Sequence, residues 1–102
     1  MNFKIEQDEI YTFKLSTGEE IVCRVKEINE STAIAVHPVS CVVSQQGLQM
    51  MPSMFSSNLD NTVQISLANI VLVGDTREDV KSSYLQATTG IQTPPAKQII
   101  TG

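Results

Sequence analysis

The chain lacks the features that mark several common classes of protein. It has no apolar run near the ~18 residues of a membrane-spanning helix, and residues 1–9 lack the hydrophobic segment of a signal peptide. We therefore expect a cytoplasmic protein with no membrane partner. A chain of 102 residues, of which 41% are apolar, has room for a single hydrophobic core.

Cysteine and glycine are also scarce, with two and five residues. Cys23 and Cys41 both fall within strand-like patterns, which predicts reduced, buried thiols and no disulfide framework. A zinc site takes four ligands in short paired spacings, which His37 and these two cysteines do not supply. The scattered glycines form no phosphate-cradling loop, so we expect neither a metal nor a cofactor.

A thiol hydrolase is the enzyme class whose catalytic residue types the sequence contains. His37 and Cys41, with Asp60 or Asp75 as the orienting carboxylate, would supply the catalytic groups. Nothing in the pattern puts Cys41 at a helix N-terminus or beside an activating cation. The sequence therefore predicts no catalytic residues and a protein that is not an enzyme.

Basic residues are few: seven Lys and Arg stand against eleven Asp and Glu, for a net charge of −4. Such a surface does not attract phosphate as a whole. Lys14, Arg24 and Lys26 do cluster, on the outward face of the first predicted hairpin. Two interpretations stay open, a solvated face that discourages strand pairing or a local contact to nucleic acid.

Strand-like alternation dominates what is present. Two segments joined by a turn at Gly18 each bury one face, formed by Tyr11, Phe13 and Leu15 and then by Ile21, Cys23 and Val25. Asn29 closes the second strand, and Val22 indicates that the other face is partly covered. A third strand runs over 32–43, where Pro38 predicts a bulge or bend because it removes a ladder donor.

The second half continues the strand pattern and then changes to a helix. Residues 44–62 are predicted to form an excursion with a short strand at 48–51, followed by strands at 63–67 and 70–73. Thr76 and Asp79 predict a capping box for a helix over 77–88, whose apolar stripe is Val80, Tyr84 and Leu85, with Ala87 at its margin. Gly90 ends it, so the domain is 1–90 and 91–102 is a loose tail.

Methionine is concentrated in one part of the excursion. Met50, Met51, Met54 and Phe55 surround Pro52 and form a pliable apolar surface. The segment from Met50 to Phe55 is either a lid over an open end of the fold or a contact for a protein partner.

The order of these residues resembles that of the Sm-like proteins. The first motif of that family is matched by Leu15, Gly18, Ile21, Val25, Asn29 and Val36, and 65–73 is similar to the second. The two motifs lie in 11–36 and 63–73, about half of the chain. The helix from Arg77 resembles the element that follows the barrel in Sm-like proteins encoded by phages.

The resemblance implies a mostly β fold: a small, strongly bent, five-stranded antiparallel barrel of SH3 type with a C-terminal helix. The fourth and fifth strands of the family pair with those of neighbours and close a homo-oligomeric ring. The uncharged edge 70–73 would be an aggregation hazard in a monomer. The candidate interface residues are Ile65, Ile70, Val71, Leu72 and Val73.

The resemblance also implies RNA binding at the pore, and here the sequence departs from the family. Asn29 stands at the aspartate position, Ser31 at the base-stacking position and Ala33 at the base-reading position. In the second motif, Ser66 and Leu67 replace arginine and glycine, and Asn69 alone is similar. The matched residues therefore predict that the ring is retained, and the replaced residues predict that the uridine-binding pocket is absent.

Three functions therefore remain as hypotheses. The leading one is a non-enzymatic, ring-forming Sm-like scaffold or adaptor, encoded by a phage and acting in the host cytoplasm. The alternative is a ring that binds single-stranded RNA through non-standard contacts, for which the candidate residues are Lys14, Arg24, Lys26, Asn29 and Asn69. The third is an isolated SH3-like barrel that binds a peptide at the Met-rich segment.

Overall fold

The alternating apolar segments form strands that pair antiparallel in one sheet, followed by one helix. The computed structural model describes residues 4–89. The elements in chain order are β1 (Ile10–Leu15), β2 (Glu20–Ile28), β3 (Thr32–Ser44), β4 (Gly47–Pro52), β5 (Val63–Ser66), a 3₁₀ turn (Leu67–Asn69), β6 (Ile70–Asp75) and α1 (Glu78–Thr89). The mostly β class with a C-terminal helix is thus confirmed.

Strands β4 and β5 together act as one interrupted strand. Residues 47–52 pair with 39–44 of β3, and residues 63–66 pair with 32–35 of the same strand. The order β4-β3-β2-β1-β6 completes the sheet, so five strand positions are filled by six segments. Within residues 4–89 no pairing joins β5 to β6, and the sheet is not closed.

The predicted excursion of 44–62 is shorter than expected. Its first part is a tight hairpin between β3 and β4, in which Gly47 has a φ of 104° that suits glycine. The short strand predicted at 48–51 is confirmed within β4. Only 53–62 leave the sheet, and they lie between β4 and β5.

The first hairpin forms as its sequence predicts. Gly18 has a φ of 93° in the turn between β1 and β2, and the ladder pairs Lys14 with Glu20 and Ile10 with Arg24. The second strand runs to Ile28, and the Oδ1 of Asn29 then accepts hydrogen bonds from the backbone N–H groups of Ser31 and Thr32 at 3.0 and 2.9 Å.

The sheet is packed on both faces. One face carries the larger cluster, which contains Tyr11, Phe13, Ile21, Cys23, Val25, Ala35 and Ile70. On the other face, helix α1 places Val80 and Tyr84 over Ile10 and Val22. The indication from Val22 is confirmed, and the face predicted to be outward and solvated is covered by the helix at its centre.

The bend at Pro38 is a β-bulge that Tyr84 completes. The β2–β3 register shifts between the pairs Val22–Val39 and Arg24–Val36, and His37 has a φ of 52°. The Tyr84 hydroxyl accepts a hydrogen bond from the Arg24 backbone N–H at 3.1 Å and donates to the His37 carbonyl at 2.9 Å. The hydroxyl therefore bridges the two strands at the bulge, and β3 is bent without being broken.

The start of the helix differs from the prediction. The hydroxyl of Thr76 is hydrogen-bonded to that of Thr12 on β1 at 2.9 Å, while Asp79 accepts from the Arg77 guanidinium and from the Val80 backbone N–H. Thr76 is buried and ties the start of α1 to the sheet, so the predicted capping role of Thr76 is wrong.

The apolar stripe of α1 is confirmed at three positions. Val80 and Tyr84 are buried, Leu85 is partly buried and Ala87 is exposed. No helix among residues 4–89 has both the length and the hydrophobicity that crossing a membrane demands. The predictions for Gly90 and for the tail 91–102 lie outside the described residues.

Candidate functional site

Three strands, β4, β5 and β6, have one open edge in the described part of the chain, and those of β5 and β6 lie next to each other in the sequence. β6 pairs with β1 on one side, and β5 pairs with β3 on one side. Both leave their other edge without a partner strand within residues 4–89, and only the 3₁₀ turn separates them in the chain. Unpaired N–H and C=O groups along such edges can bind a further strand.

The side chains on β6 divide into core residues and exposed residues. Ile70 is buried, and Val73 is partly buried against the larger cluster, as is Ile65 on β5. Val71 and Leu72 expose 57% and 64% of their surface. Of the five predicted interface residues, these two therefore present apolar side chains beside an edge that carries no charge from Ile70 to Gly74.

The predicted basic cluster is divided in the structure. Arg24 and Lys26 both meet Asp8: the Arg24 guanidinium donates to the Asp8 carbonyl at 2.6 Å, and the Lys26 Nζ lies 2.5 Å from its carboxylate. Lys14 lies opposite Glu20 in the β1–β2 ladder, at the other end of the hairpin. The positive charge near Asp8 is partly neutralised, so the three residues form no continuous basic patch.

The loops that carry Asn29 and Asn69 are brought together. The Leu67 backbone N–H donates to the Ser31 carbonyl at 2.9 Å, which joins the 3₁₀ turn to the β2–β3 turn. Both side-chain amide oxygens accept hydrogen bonds within the chain. That of Asn29 accepts from the Thr32 backbone N–H in its own turn, and that of Asn69 accepts from the Ser16 hydroxyl at 3.3 Å. The Ala33 side chain is fully buried and offers no surface to a ligand.

A cleft of about 320 Å³ lies where the end of α1 meets β4 and the segment before β5. Its walls are Pro38 and Val39 at the bulge, 50–52 of β4, Leu59, and the side of the helix that carries Tyr84, Ala87 and Thr88. The lining is mostly apolar, and a cleft of this size is at the lower end of the ~300–1,000 Å³ of ligand pockets.

The Met-rich segment contributes to this cleft and does not form a lid. Met50 packs against the helix-side cluster, and Met51 lines the cleft with 40% of its surface exposed. Met54 is 42% exposed and Phe55 is 83% exposed. The lid interpretation is therefore wrong for Phe55 in the single chain, and the partner interpretation stays a prediction.

His37 and Asp60 stand together at the cleft, with 3.2 Å between the His37 Nε2 and the Asp60 Oδ1. Cys41 is only partly buried, in contrast to the prediction, because its strand lies beside the smaller cluster. Burial, with help from the Glu20 carboxylate, raises the pKa of Cys41, and burial raises the pKa of Cys23 to about 12. Both cysteines are free thiols, and neither is activated.

Metal ligands do not converge in the part of the chain that the structure describes. There, no group of three or more His, Cys, Asp or Glu side chains could hold an ion. Sequence reasoning missed Leu59 as a wall of the cleft and the Tyr84 hydroxyl as a bridge at the bulge. The apolar period of the helix pointed to Tyr84 as a packing residue, but nothing local signalled the partners of its hydroxyl.

These features define a class: a small, mostly β protein with one antiparallel sheet, a helix packed on one face and open strand edges on β4, β5 and β6. No model of a known protein family matches the chain, and a search of curated proteins finds no match.

Proposed function

We propose that the protein is a non-enzymatic, Sm-like scaffold or adaptor that assembles into a closed homo-oligomeric ring. The observation that carries the proposal is the pair of open edges on β5 and β6, adjacent in the chain and bordered by exposed Val71 and Leu72. β5 of one subunit pairs with β6 of the next, and such a heterologous contact forms a ring when its rotation closes.

The order of the strands supports the Sm-like assignment. β3 is bent at a bulge, the interrupted β4–β5 strand follows it, and a 3₁₀ turn leads to β6 beside β1. In the proposed ring, this order corresponds to a small SH3-type barrel that the contact between β5 and β6 of neighbouring subunits completes. The helix after β6 is the element on which the resemblance to phage-encoded members rests.

An adaptor role follows from the surfaces that the ring leaves open. The two thiols are protonated at neutral pH and the cleft is lined mostly by apolar side chains. Pliable methionine surfaces suit the binding of protein segments. Each subunit of the ring therefore carries a copy of this cleft, and the ring displays several copies of it.

The mass of the native particle tests the ring. We expect light scattering at micromolar concentration to give a multiple of the subunit mass, and Val71→Asp to reduce the particle to monomers. Val43→Asp is the matched control, because Val43 is 84% exposed and lies on β3, which is neither of the two strands of the proposed contact. A wild-type monomer, or an unchanged particle in Val71→Asp, would contradict the proposal.

A ring that binds single-stranded RNA is the second candidate. It is favoured by the hydrogen bond between Leu67 and Ser31, which joins the loops that carry Asn69 and Asn29. Only phosphate contacts would remain, so affinity for oligouridine should be weak and should fall steeply with added salt.

Charge reversal separates the two candidates. Arg24→Glu with Lys26→Glu should abolish RNA binding by such a ring, whereas Lys4→Glu with Lys81→Glu makes the same change in charge elsewhere. Equal affinity of both double variants for oligouridine would remove the RNA-binding hypothesis. A preference for one base that persists in high salt would instead show that a base-reading pocket exists.

A further inference from the structure

The apolar cleft opens at the free edge of β4. Met50, Met51 and Pro52 are consecutive in this strand, and all three line the cleft. Successive side chains of a strand point to opposite faces of the sheet, so a cavity that reaches all three borders the edge of the strand and not one face. No strand within residues 4–89 pairs with that edge. The cleft and the unpaired backbone groups of β4 therefore lie side by side.

Backbone hydrogen bonds hold the walls of the cleft in place. The segment between β4 and β5 is tied to the bulge at two points. The Ser53 N–H donates to the Pro38 carbonyl at 3.1 Å, and the His37 N–H donates to the Leu59 carbonyl at 3.3 Å. From the opposite wall, the Tyr84 hydroxyl donates to the His37 carbonyl. The cleft is therefore formed before a ligand arrives, which lowers the ordering cost of binding.

The cleft carries a negative charge at its border. Asp60 is the one Asp, Glu, Lys or Arg that lines it in the described part of the chain, and 80% of the Asp60 side chain is exposed. The His37 Nε2 contacts the Oδ1 of this carboxylate at 3.2 Å. The carboxylate remains accessible from solvent, so it can also pair with a cation. An occupant that combines an apolar side chain with a positive charge therefore complements the cleft.

We propose that the cleft binds an extended segment of a partner protein in which an aliphatic side chain lies within two residues of a lysine or arginine. The segment adds as a strand to the free edge of β4 and pairs with the backbone groups that β4 does not direct to β3. Its aliphatic side chain enters the cleft against Met51 and Leu59, and its basic side chain meets the Asp60 carboxylate. Pro52 has no N–H, which limits the pairing to residues 47–51.

Selection from a peptide library tests the preference for such a segment. Short peptides with a fixed central leucine and random flanking positions are passed over the immobilised full chain, and the retained peptides are sequenced. We expect lysine and arginine within two positions of the leucine to be enriched about fivefold over aspartate and glutamate, the range of an exposed ion pair. A failure to retain any peptide, or an enrichment of acidic residues, would overturn the proposal.

Two pairs of variants locate the binding of a selected peptide, measured by fluorescence anisotropy. Ala87 is exposed in the cleft wall, so Ala87→Phe fills the cleft and should weaken binding about tenfold or more, because the aliphatic side chain loses its site. Gln86→Phe is the control, since Gln86 is also exposed on α1 but does not line the cleft. Asp60→Asn keeps an oxygen for His37 and should weaken binding about two- to fivefold. Glu30→Gln makes the same change in net charge outside the cleft walls and should have no effect; equal effects of either variant and its control would overturn the site.

N-methylated copies of the selected peptide test the added strand. Alternate residues of a strand direct their N–H and C=O groups to the same neighbour. Methylation of the peptide nitrogens should therefore weaken binding at every second position. Equal sensitivity at all positions, or none at any, would overturn the strand addition.

This inference rests on the proposed adaptor role and not on the ring, and the two can fail separately. Val71→Asp should bind the selected peptide as the wild type does, because the site is on β4. A ring that retains no peptide would overturn the cleft proposal and leave the ring, whereas a monomer that binds the peptide would overturn the ring alone. A lower particle mass for Ala87→Phe would show that a second copy occupies the cleft, which would also overturn the proposal.

Discussion

Tyr84 lies where the helix meets the irregular part of β3. Its ring packs on Ile10 and Val22, and its hydroxyl bridges the Arg24 N–H and the His37 carbonyl at the bulge. Burial raises the pKa of Tyr84 above its ordinary value, so the hydroxyl stays protonated and keeps donating. One side chain thus joins α1, β2 and β3.

Removing this hydroxyl should destabilise the fold. In Tyr84→Phe the ring still packs, but buried backbone groups at the bulge lose a partner, which costs about 1–3 kcal/mol. Chemical denaturation of Tyr84→Phe and Tyr11→Phe measures the difference. The Tyr11 hydroxyl accepts from the Glu6 N–H near the exposed N-terminal segment, so we expect its loss to cost less; a larger loss for Tyr11→Phe would contradict the role of Tyr84.

The carboxyl group of Asp79, which is paired with Arg77, should titrate at low pH. The hydrogen bond from the Arg77 guanidinium lowers the pKa of Asp79 from its ordinary 3.8 to about 2. A depressed carboxyl pKa contributes stability above the unfolded value and loses it as the pH falls from about 4 to about 2. We expect carbon-detected NMR to find the Asp79 midpoint near 2, and Arg77→Gln to raise it; an unchanged midpoint would mean that the pair does not form in solution.

At the scale of elements, some apolar side chains of β4 and of the segment after it pack against the helix, and others are exposed to solvent. Met50 packs under the helix, whereas Met51 and Phe55 remain accessible. The interruption at 53–62 separates β4 from β5 although both pair with β3. This insertion places Leu59 and Asp60 at the cleft, where His37 holds the carboxylate.

Polar substitution should distinguish these positions. Met51→Ser with Phe55→Ser should lower the free energy of unfolding by less than about 1 kcal/mol, since largely exposed side chains contribute little. Met50→Ser should cost more because Met50 packs against the helix-side cluster. Thermal melts of a dissociated background such as Val71→Asp give the comparison, and a large loss in the double variant would show that the segment is core.

At the scale of the whole molecule, the proposed ring couples stability to concentration. Assembly through the β5 and β6 edges would stabilise the folded state by mass action. The melting temperature of the wild-type protein should therefore rise with protein concentration. Val71→Asp should melt at a lower temperature that does not depend on concentration, and Val43→Asp should behave like the wild type; a concentration-independent wild-type melt would contradict the ring.

Most of the strands and the helix could be predicted from the sequence because their signals are local. Alternation over Tyr11 to Val25, the glycine at the first turn and the helical spacing of Val80 and Tyr84 each depend on neighbours within a few residues. The bend at Pro38 was predictable for the same reason, since proline itself removes the ladder donor.

The candidate site was only partly predictable because it depends on contacts between distant segments. The uncharged edge of β6 was visible in the sequence, but the exposure of Val71 and Leu72 was not distinguishable from the burial of Ile70. The sequence predicts one basic cluster, and only the fold shows that Asp8 contacts Arg24 and Lys26 whereas Lys14 lies at the other end of the hairpin.

The sequence by itself therefore determined most of the secondary structure, the free thiols and the overall acidic charge, all of which follow from residue type and short-range spacing. The tertiary structure decided how the pieces combine. Both β4 and β5 pair with β3. The hydroxyl of Thr76, predicted to cap the helix, is instead hydrogen-bonded to that of Thr12. These outcomes depend on which backbone and hydroxyl groups lose water together when the chain folds, and no local pattern in the sequence encodes that choice.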